Sequence, residues 1–320
     1  MDWKTTLCRE FGDSVRLSEN LAIDEADGVV NLTMNARFPA ANMQQDAAAF
    51  ETWALALKVA GARKVILRWN DNNQTGAHFR RFCHRVAWFS ELFGAWFQAN
   101  PLPHTEIPSQ PNGAEPQFLL NEESQRRSGG PDGDYGSQLL NLRASEHDLE
   151  LALTGDHPAS VTLKKIFGLK GVHRQLPVGV FKGRVAKSTS VFTGGRSAID
   201  LWGIAGDKLF LFELKNARNK KLGVLAELFF YAMVMHYLQR GVLGLRPTTV
   251  KAAQPYHAIT KTNSIDAYIL APDFHPLIER KDAAVLKIFN EAFASAGMPI
   301  RFGLARLLEQ HPFVEIAKQA

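Results

Sequence analysis

The stretch "SAIDLWGIAGDKLFLFELK" (residues 197–215) places three ionisable side chains in an otherwise apolar segment. Two apolar runs flank Gly206-Asp207, and a two-residue Gly-Asp loop is typical of a type I′ or II′ turn between antiparallel strands. With this loop, the numbers of paired residues sum to 413, so that Asp200 faces Glu213. Lys215 lies two residues beyond Glu213 and points from the same face. The segment therefore predicts a hairpin on which two carboxylates and one ammonium converge.

Two carboxylates that face each other across a strand pair repel, and this destabilises the sheet unless a positive charge offsets it. A divalent cation would do so, because Mg²⁺ prefers oxygen ligands and usually takes one or two protein carboxylates. Lys215 would then stabilise developing negative charge or help to deprotonate an attacking water. The alternatives are a buried Lys215 salt bridge and a strand end at which all three groups reach solvent. The apolar strands around these groups favour the functional interpretation.

Length and composition place the chain among soluble globular proteins. Its 320 residues are enough for two domains, and 46% hydrophobic with 22% charged residues is close to the globular average. No apolar run approaches the roughly 18 to 20 residues that span a bilayer. The first 20 residues lack the apolar region of a secretory signal, and Cys8 and Cys83 are too few for a disulfide framework or a cysteine zinc cluster. We therefore expect a cytoplasmic protein with no membrane partner.

Basic charge is concentrated in the C-terminal part of the chain. Residues 1–100 are formally neutral, residues 101–140 carry −4, and residues 141–320 carry +9. A positive field attracts polyanions, which weakly favours a nucleic-acid partner.

The distribution of proline and glycine divides the chain. Residues 101–136 hold six of the fifteen prolines and little apolar periodicity, as in a linker. We predict a small N-terminal α+β domain of unknown role over residues 1–100, a Pro/Gly-rich linker over 101–137 and a second domain over 138–320.

The second domain shows a mixed order of helical and strand patterns. The predicted elements are a helix at 145–155, a strand near 172–181, the hairpin, a helix over 219–240 ended by Gly241, a strand at 265–272, a helix around 283–297 and a strand at 300–307. The order α, β, β, β, α, β with an αβ extension predicts an α/β protein with a mixed central sheet flanked by helices.

This arrangement resembles the PD-(D/E)XK nuclease superfamily, whose restriction-endonuclease-like αβββαβ core carries an Asp on the second strand and ExK on the third. The matching motifs are "AID" at 198–200, with Ile199 in place of the usual proline, and "ELK" at 213–215. Residues 145–235 resemble the RecB-type and NucS-like branch, through "SEHDLE" at 145–150 and "RQLP" at 174–177.

The resemblance implies roles for the residues of these motifs. Asp200, Glu213 and the backbone carbonyl of Leu214 would bind Mg²⁺ or Mn²⁺, and Lys215 would assist catalysis. Glu146 would reach the metal through water, although an acid at a helix N-terminus also favours the helix dipole in solvent.

Further residues would line the site or hold the substrate. Glu227 and Tyr231 in "ELFFY" match the QxxxY motif of the branch, with Glu in place of Gln, and their i, i+4 spacing puts both on one helical face. The alternatives are an exposed carboxylate and a core aromatic ring. Arg196, Lys220 and Lys221 would bind phosphates, unless they form a solvated face.

Taken together, the sequence predicts a Mg²⁺-dependent (or Mn²⁺-dependent) deoxyribonuclease that hydrolyses phosphodiester bonds in DNA. The N-terminal domain would select the substrate or mediate homodimerisation. The alternative is a catalytically inactive nuclease-fold module that binds nucleic acid or a protein partner.

Overall fold

The computed structural model describes residues 2–70, 74–111, 113, 115–121, 140–192, 197–245, 254–308 and 314–316. The elements in chain order are α1 (Trp3–Phe11), β1 (Leu21–Ala26), β2 (Val29–Met34), α2 (Phe50–Val59), β3 (Lys64–Arg68), α3 (Ala77–Phe93), β4 (Phe97–Asn100), β5 (Phe118–Leu120), α4 (Glu146–Thr154), α5 (Pro158–Phe167), β6 (Val172–Pro177), β7 (Val180–Lys182), β8 (Ala198–Ala205), β9 (Lys208–Leu214), α6 (Gly223–Gln239), β10 (Leu243–Leu245), α7 (Gln254–Ile259), β11 (Ser264–Ala271), α8 (Pro276–Ser295), β12 (Ile300–Leu307) and β13 (Val314–Ile316).

Contacts between residues divide the described chain into two compact units, neither of which is continuous in sequence. Unit 1 comprises Met1–Glu106, Lys221–Phe230 and Phe274–Met298, and unit 2 comprises Ile107–Lys220, Tyr231–Asp273 and Pro299–Ala320.

Unit 1 is built on a mixed sheet with the strand order β1-β2-β3-β4. Its core is rich in aromatic rings from three separate segments. Phe89 of α3 lies 6.2 Å from Phe229 between ring centroids, and Phe93 stacks on Phe289 at 5.8 Å. Because these faces pack together, the beginning of α6 and the whole of α8 belong to unit 1. The sequence prediction placed both segments in the 138–320 domain. The predicted domain boundaries stay a prediction.

Unit 2 contains a mixed sheet with the strand order β13-β12-β11-β9-β8-β6. The β6–β8 and β8–β9 pairs are antiparallel, whereas β9–β11 and β11–β12 are parallel. One face of this sheet packs against α4 and α5 through a buried apolar cluster that includes Leu153, Phe167 and Phe212. The predicted α/β class is confirmed.

The β8–β9 hairpin has the predicted register. Its pairs run from Leu201↔Phe212 to Ala205↔Lys208, and the residue numbers of every pair sum to 413. Gly206 has a φ of 62°, whereas Asp207 does not have a positive φ. A type I′ turn needs positive φ at both central residues, so the turn belongs to the type II′ alternative.

The long helix α6 ends as the sequence indicates. It begins at Gly223, later than predicted, and is followed by Gly241 with a φ of 71°. Apolar residues are buried around most of its circumference. Among the described residues, nevertheless, no helix combines the length and apolarity needed to cross a bilayer.

The observed elements differ from the predicted ones in three places. The prediction did not include α5, which has Pro158 in its first turn and is followed by Gly168 in the left-handed conformation. Helix α8 is interrupted at residues 280–283, where the backbone is not helical, so the predicted helix around 283–297 corresponds to the part after the break, and the turn that begins at Pro276 was not predicted. Within the predicted linker, β5 pairs with β7 and β10 in a second sheet of unit 2. The linker residues 122–137 lie outside the described part of the chain.

Candidate active site

Three carboxylates converge on the ammonium of Lys215 in unit 2. The Nζ atom of Lys215 lies 2.6 Å from Oε1 of Glu213, 3.9 Å from Oδ2 of Asp200 and 3.9 Å from Oε2 of Glu146. The side chains of Glu213 and Lys215 are only 2% and 7% exposed, whereas that of Glu146 is 32% exposed. The hairpin therefore brings the predicted residues together, and α4 adds the fourth. We refer to these four residues as the Lys215 cluster.

The end of the hairpin ladder positions Asp200. The ladder ends with the pair Leu201↔Phe212, and Asp200 and Glu213 are the residues immediately beyond this pair. Beyond it, the backbone N–H of Leu214 donates to Oδ2 of Asp200 at 2.9 Å. A carboxylate that accepts a backbone hydrogen bond has a defined orientation, so Asp200 is held beside Lys215 rather than directed into solvent.

The N-terminus of α4 brings Glu146 to the cluster. Ser145 caps the helix, since its Oγ accepts from the N–H of Asp148 at 3.1 Å. The loop after β9 then holds this end of the helix: Asn219 donates to Oε1 of Glu146 at 3.0 Å, and Asn216 donates to the Ala144 carbonyl at 3.0 Å. Glu146 is therefore an anchored member of the cluster and not merely a solvated helix-end acid.

A second acid, Glu150, lies one helical turn after Glu146 and was not singled out in the sequence analysis. It is buried at 5% exposure, and Nε2 of Gln175 lies 3.0 Å from each of its two carboxylate oxygens. Residues four apart lie on the same face of a helix, so the spacing of Glu146 and Glu150 could have indicated that the two acids are neighbours. Gln175 belongs to the "RQLP" motif and has a positive φ of 54°, which is uncommon for a residue other than glycine.

Burial raises the pKa of the Glu150 carboxyl above its ordinary value of 4.5, against the opposing hydrogen bond from Gln175. Nearby charges have smaller effects: Arg174 and Lys215 lower this pKa, and Glu146 raises it. The folded chain therefore holds this proton more tightly than the unfolded chain does. Glu150 favours folding below its ordinary pKa, and this contribution is lost as the pH rises through the raised pKa.

We expect Glu150→Gln to become progressively more stable than the wild type as the pH rises from about 4.5, because the amide has no proton to lose. Urea unfolding between acidic and neutral pH measures the difference in free energy. A companion variant, Gln175→Met, removes the hydrogen bond that lowers the pKa of Glu150 and should extend the pH dependence upward. A difference between Glu150→Gln and wild type that is independent of pH would contradict the assignment.

The remaining predicted residues are not shown to belong to the cluster. In unit 1, Glu227 accepts a hydrogen bond from Nε2 of Gln44 at 2.6 Å. The QxxxY motif has Gln at the position of Glu227. In this chain the side-chain amide of Gln44 contacts the Glu that replaces it. Tyr231 is buried at 3% exposure in unit 2, as its core alternative anticipated. Their role in lining the site stays a prediction.

The three basic residues predicted to bind phosphate differ in their surroundings. Lys220 forms an ion pair with Asp273 at 3.0 Å, and both side chains are about half exposed, at 49% and 50%. Lys221 belongs to unit 1 and is exposed. Arg196 lies outside the described residues.

The donor set of the cluster suits a hard cation. Its three carboxylates offer only oxygen atoms, and with one ammonium the four groups have a formal charge of −2. Among the described residues, no group of three or more His, Cys, Asp or Glu side chains is arranged to hold a metal ion. Mg²⁺ commonly uses one or two protein carboxylates and completes its coordination with water and substrate. Asp200 and Glu213 fit that requirement.

Neither a family model, nor a curated protein, nor a solved structure matches the chain. The resemblance to PD-(D/E)XK nucleases therefore stays a prediction that rests on the motifs and on the geometry of the Lys215 cluster.

Proposed function

We propose that this protein is a metal-dependent nuclease that hydrolyses phosphodiester bonds in DNA. The observation that carries the proposal is the Lys215 cluster, in which three carboxylates from two strands and a helix approach one buried ammonium within 3.9 Å. Like charges are costly to assemble in a buried place. Because the cluster has a formal charge of −2, a bound divalent cation would neutralise it.

The order of the elements supports a restriction-endonuclease-like core. Helix α4, strands β6, β8 and β9, helix α6 and strand β11 follow one another as αβββαβ, with the remaining elements as insertions. Asp200 lies on the second of these strands and Glu213 on the third. The PD-(D/E)XK pattern has its Asp on the second strand and the Glu of ExK on the third.

Asp200, Glu213 and the carbonyl of Leu214 would hold Mg²⁺ or Mn²⁺. When bound, the cation would polarise the scissile phosphate and lower the pKa of a coordinated water. The residues of the chain have separate tasks. The Lys215 ammonium stabilises negative charge that builds up on the phosphate oxygens. Glu213 orients that ammonium through the 2.6 Å contact, and Asn219 holds Glu146 beside it at 3.0 Å.

A second candidate function is a non-catalytic module that uses the same scaffold to bind nucleic acid or a protein partner. The observation in its favour is the short Lys215–Glu213 contact, because an ammonium this close to a buried carboxylate compensates its charge without a metal. Metal-dependent stabilisation distinguishes the two candidates, since a ligand that binds the folded state raises its stability.

A cleavage assay with the purified full chain tests the main proposal. Single-stranded, double-stranded and branched DNA are incubated with Mg²⁺, with Mn²⁺ or with EDTA, and RNA is included for comparison. We expect cleavage of at least one DNA substrate that requires the divalent cation. Failure to cut any of these DNA substrates in both metals would overturn the nuclease proposal.

A further inference from the structure

Beside the Lys215 cluster, unit 2 contains a cleft that has no part in the chemistry described so far. It has a volume of about 350 Å³ and is lined by the residues Lys170, His173, Trp202, Ile204, Lys261 and Thr262, which we call the Trp202 cleft. Trp202 lies two residues after Asp200 on β8, so both side chains leave the same face of the sheet. Their Cα atoms are separated by about 7 Å along the strand.

Three aromatic rings pack together at the cleft, and two of them, those of His173 and Trp202, line it. The indole of Trp202 lies 4.6 Å from the imidazole of His173 and 5.6 Å from the phenol of Tyr256, measured between ring centroids. Trp202 is only 2% exposed, whereas its strand partner His173 is exposed. The imidazole therefore presents an aromatic surface to the cleft, supported from behind by the indole.

The rim of the cleft is basic. Lys170 and Lys261 are exposed and lie on different segments, one after α5 and the other after α7. Within the described part of the chain, neither ammonium is in an ion pair, and the lining residues include no acidic side chain. Two free ammonium groups at the entrance favour an anionic ligand such as a phosphodiester.

We propose that the Trp202 cleft holds one unpaired nucleotide of the DNA strand next to the scissile phosphate. The base lies against the exposed His173 imidazole, which the Trp202 indole supports from behind. Lys170 and Lys261 bind the flanking phosphates. The 350 Å³ volume accepts a single nucleotide and not a duplex, so the strand must be unpaired at this position. The inference rests on the proposed function in naming DNA as the ligand.

Binding of a fluorescein-labelled oligothymidylate to the full chain in EDTA tests the cleft separately from cleavage. We expect Lys170→Ala/Lys261→Ala to weaken binding at least about tenfold and to reduce the slope of log affinity against log salt by about 0.7 per lysine. The matched control is Lys165→Ala/Lys182→Ala, which removes the same charge from exposed positions of unit 2 outside the cleft lining. It should leave binding nearly unchanged.

His173→Ala tests the contact with the base, because it removes the exposed ring against which the base lies. It should weaken binding of the oligothymidylate but not of an abasic oligomer of the same length, with thermal melting used to show that the variant is folded.

Equal losses in the two double-lysine variants, or no binding by the wild type, would overturn the cleft proposal. Binding through the cleft without cleavage would instead overturn the nuclease proposal alone, and cleavage with unchanged binding in the cleft variant would overturn the cleft alone.

Discussion

Asp200→Asn is expected to lower the rate of DNA cleavage at least about 100-fold while the protein stays folded. The amide oxygen of asparagine can still accept the 2.9 Å hydrogen bond from the N–H of Leu214, so the end of the hairpin keeps its geometry. The substitution removes one of the negative charges that would attract a divalent cation. Single-turnover cleavage in saturating Mg²⁺ measures the effect on the reaction, and thermal denaturation in EDTA measures the effect on folding.

The same hairpin offers a matched control. Asp207→Asn makes the same chemical change in the exposed turn, at the other end of β8 and β9, and should cleave at the wild-type rate. Wild-type protein should gain stability from Mg²⁺ or Mn²⁺, by about 2.7 kcal/mol at a metal concentration 100 times the Kd. The Asp200→Asn variant should lose this gain. A variant that cleaves as fast as wild type would exclude Asp200 from the catalytic machinery.

Lys215→Met is expected to cost about 3 to 5 kcal/mol of unfolding free energy in metal-free buffer. The reason is not the lost attraction alone. Glu213 is 2% exposed, and without the ammonium at 2.6 Å its carboxylate is buried next to Asp200 with a large part of its compensating charge removed. Urea unfolding in EDTA measures the loss. Adding Glu213→Gln to Lys215→Met should restore a large part of it, because the uncompensated charge is then gone.

Strand β9 supplies the control for this prediction as well. Lys208 forms a 2.9 Å ion pair with Asp266, but its side chain is 39% exposed. Lys208→Met should therefore cost no more than about 1 kcal/mol, as is usual for solvent-screened pairs. Similar losses for Lys208→Met and Lys215→Met would contradict the conclusion that burial of the Lys215 cluster decides its energetics.

Predictions from sequence were most successful where a single local rule applies. A two-residue loop at Gly206 and Asp207 and the two-residue period of a strand are sufficient to determine the register of the β8–β9 hairpin. The convergence of Asp200, Glu213 and Lys215 follows from that register. Strand β12 was predicted with its observed bounds, 300–307, because its buried apolar residues alternate with more exposed ones along most of its length.

Predictions failed where short elements or distant segments were involved. Helix α5 was not predicted, and β5, which has only three residues, lies within the predicted linker. The assignment of residues 221–230 and 274–298 to unit 1 depends on which aromatic faces pack together. An amphipathic pattern shows that a helix has an apolar face, but it does not identify the surface that covers that face.

The sequence by itself therefore determined the hairpin, its turn and the three ionisable groups that the turn brings together, because these depend on backbone geometry over fewer than twenty residues. Only the tertiary structure decided that Asn219 anchors Glu146, that Gln175 contacts Glu150, and that separate segments line the Trp202 cleft. The partners in these contacts come from separate helices, strands and loops. Local periodicity indicates which side of an element is polar or apolar, and packing of the whole chain selects the partner for that side.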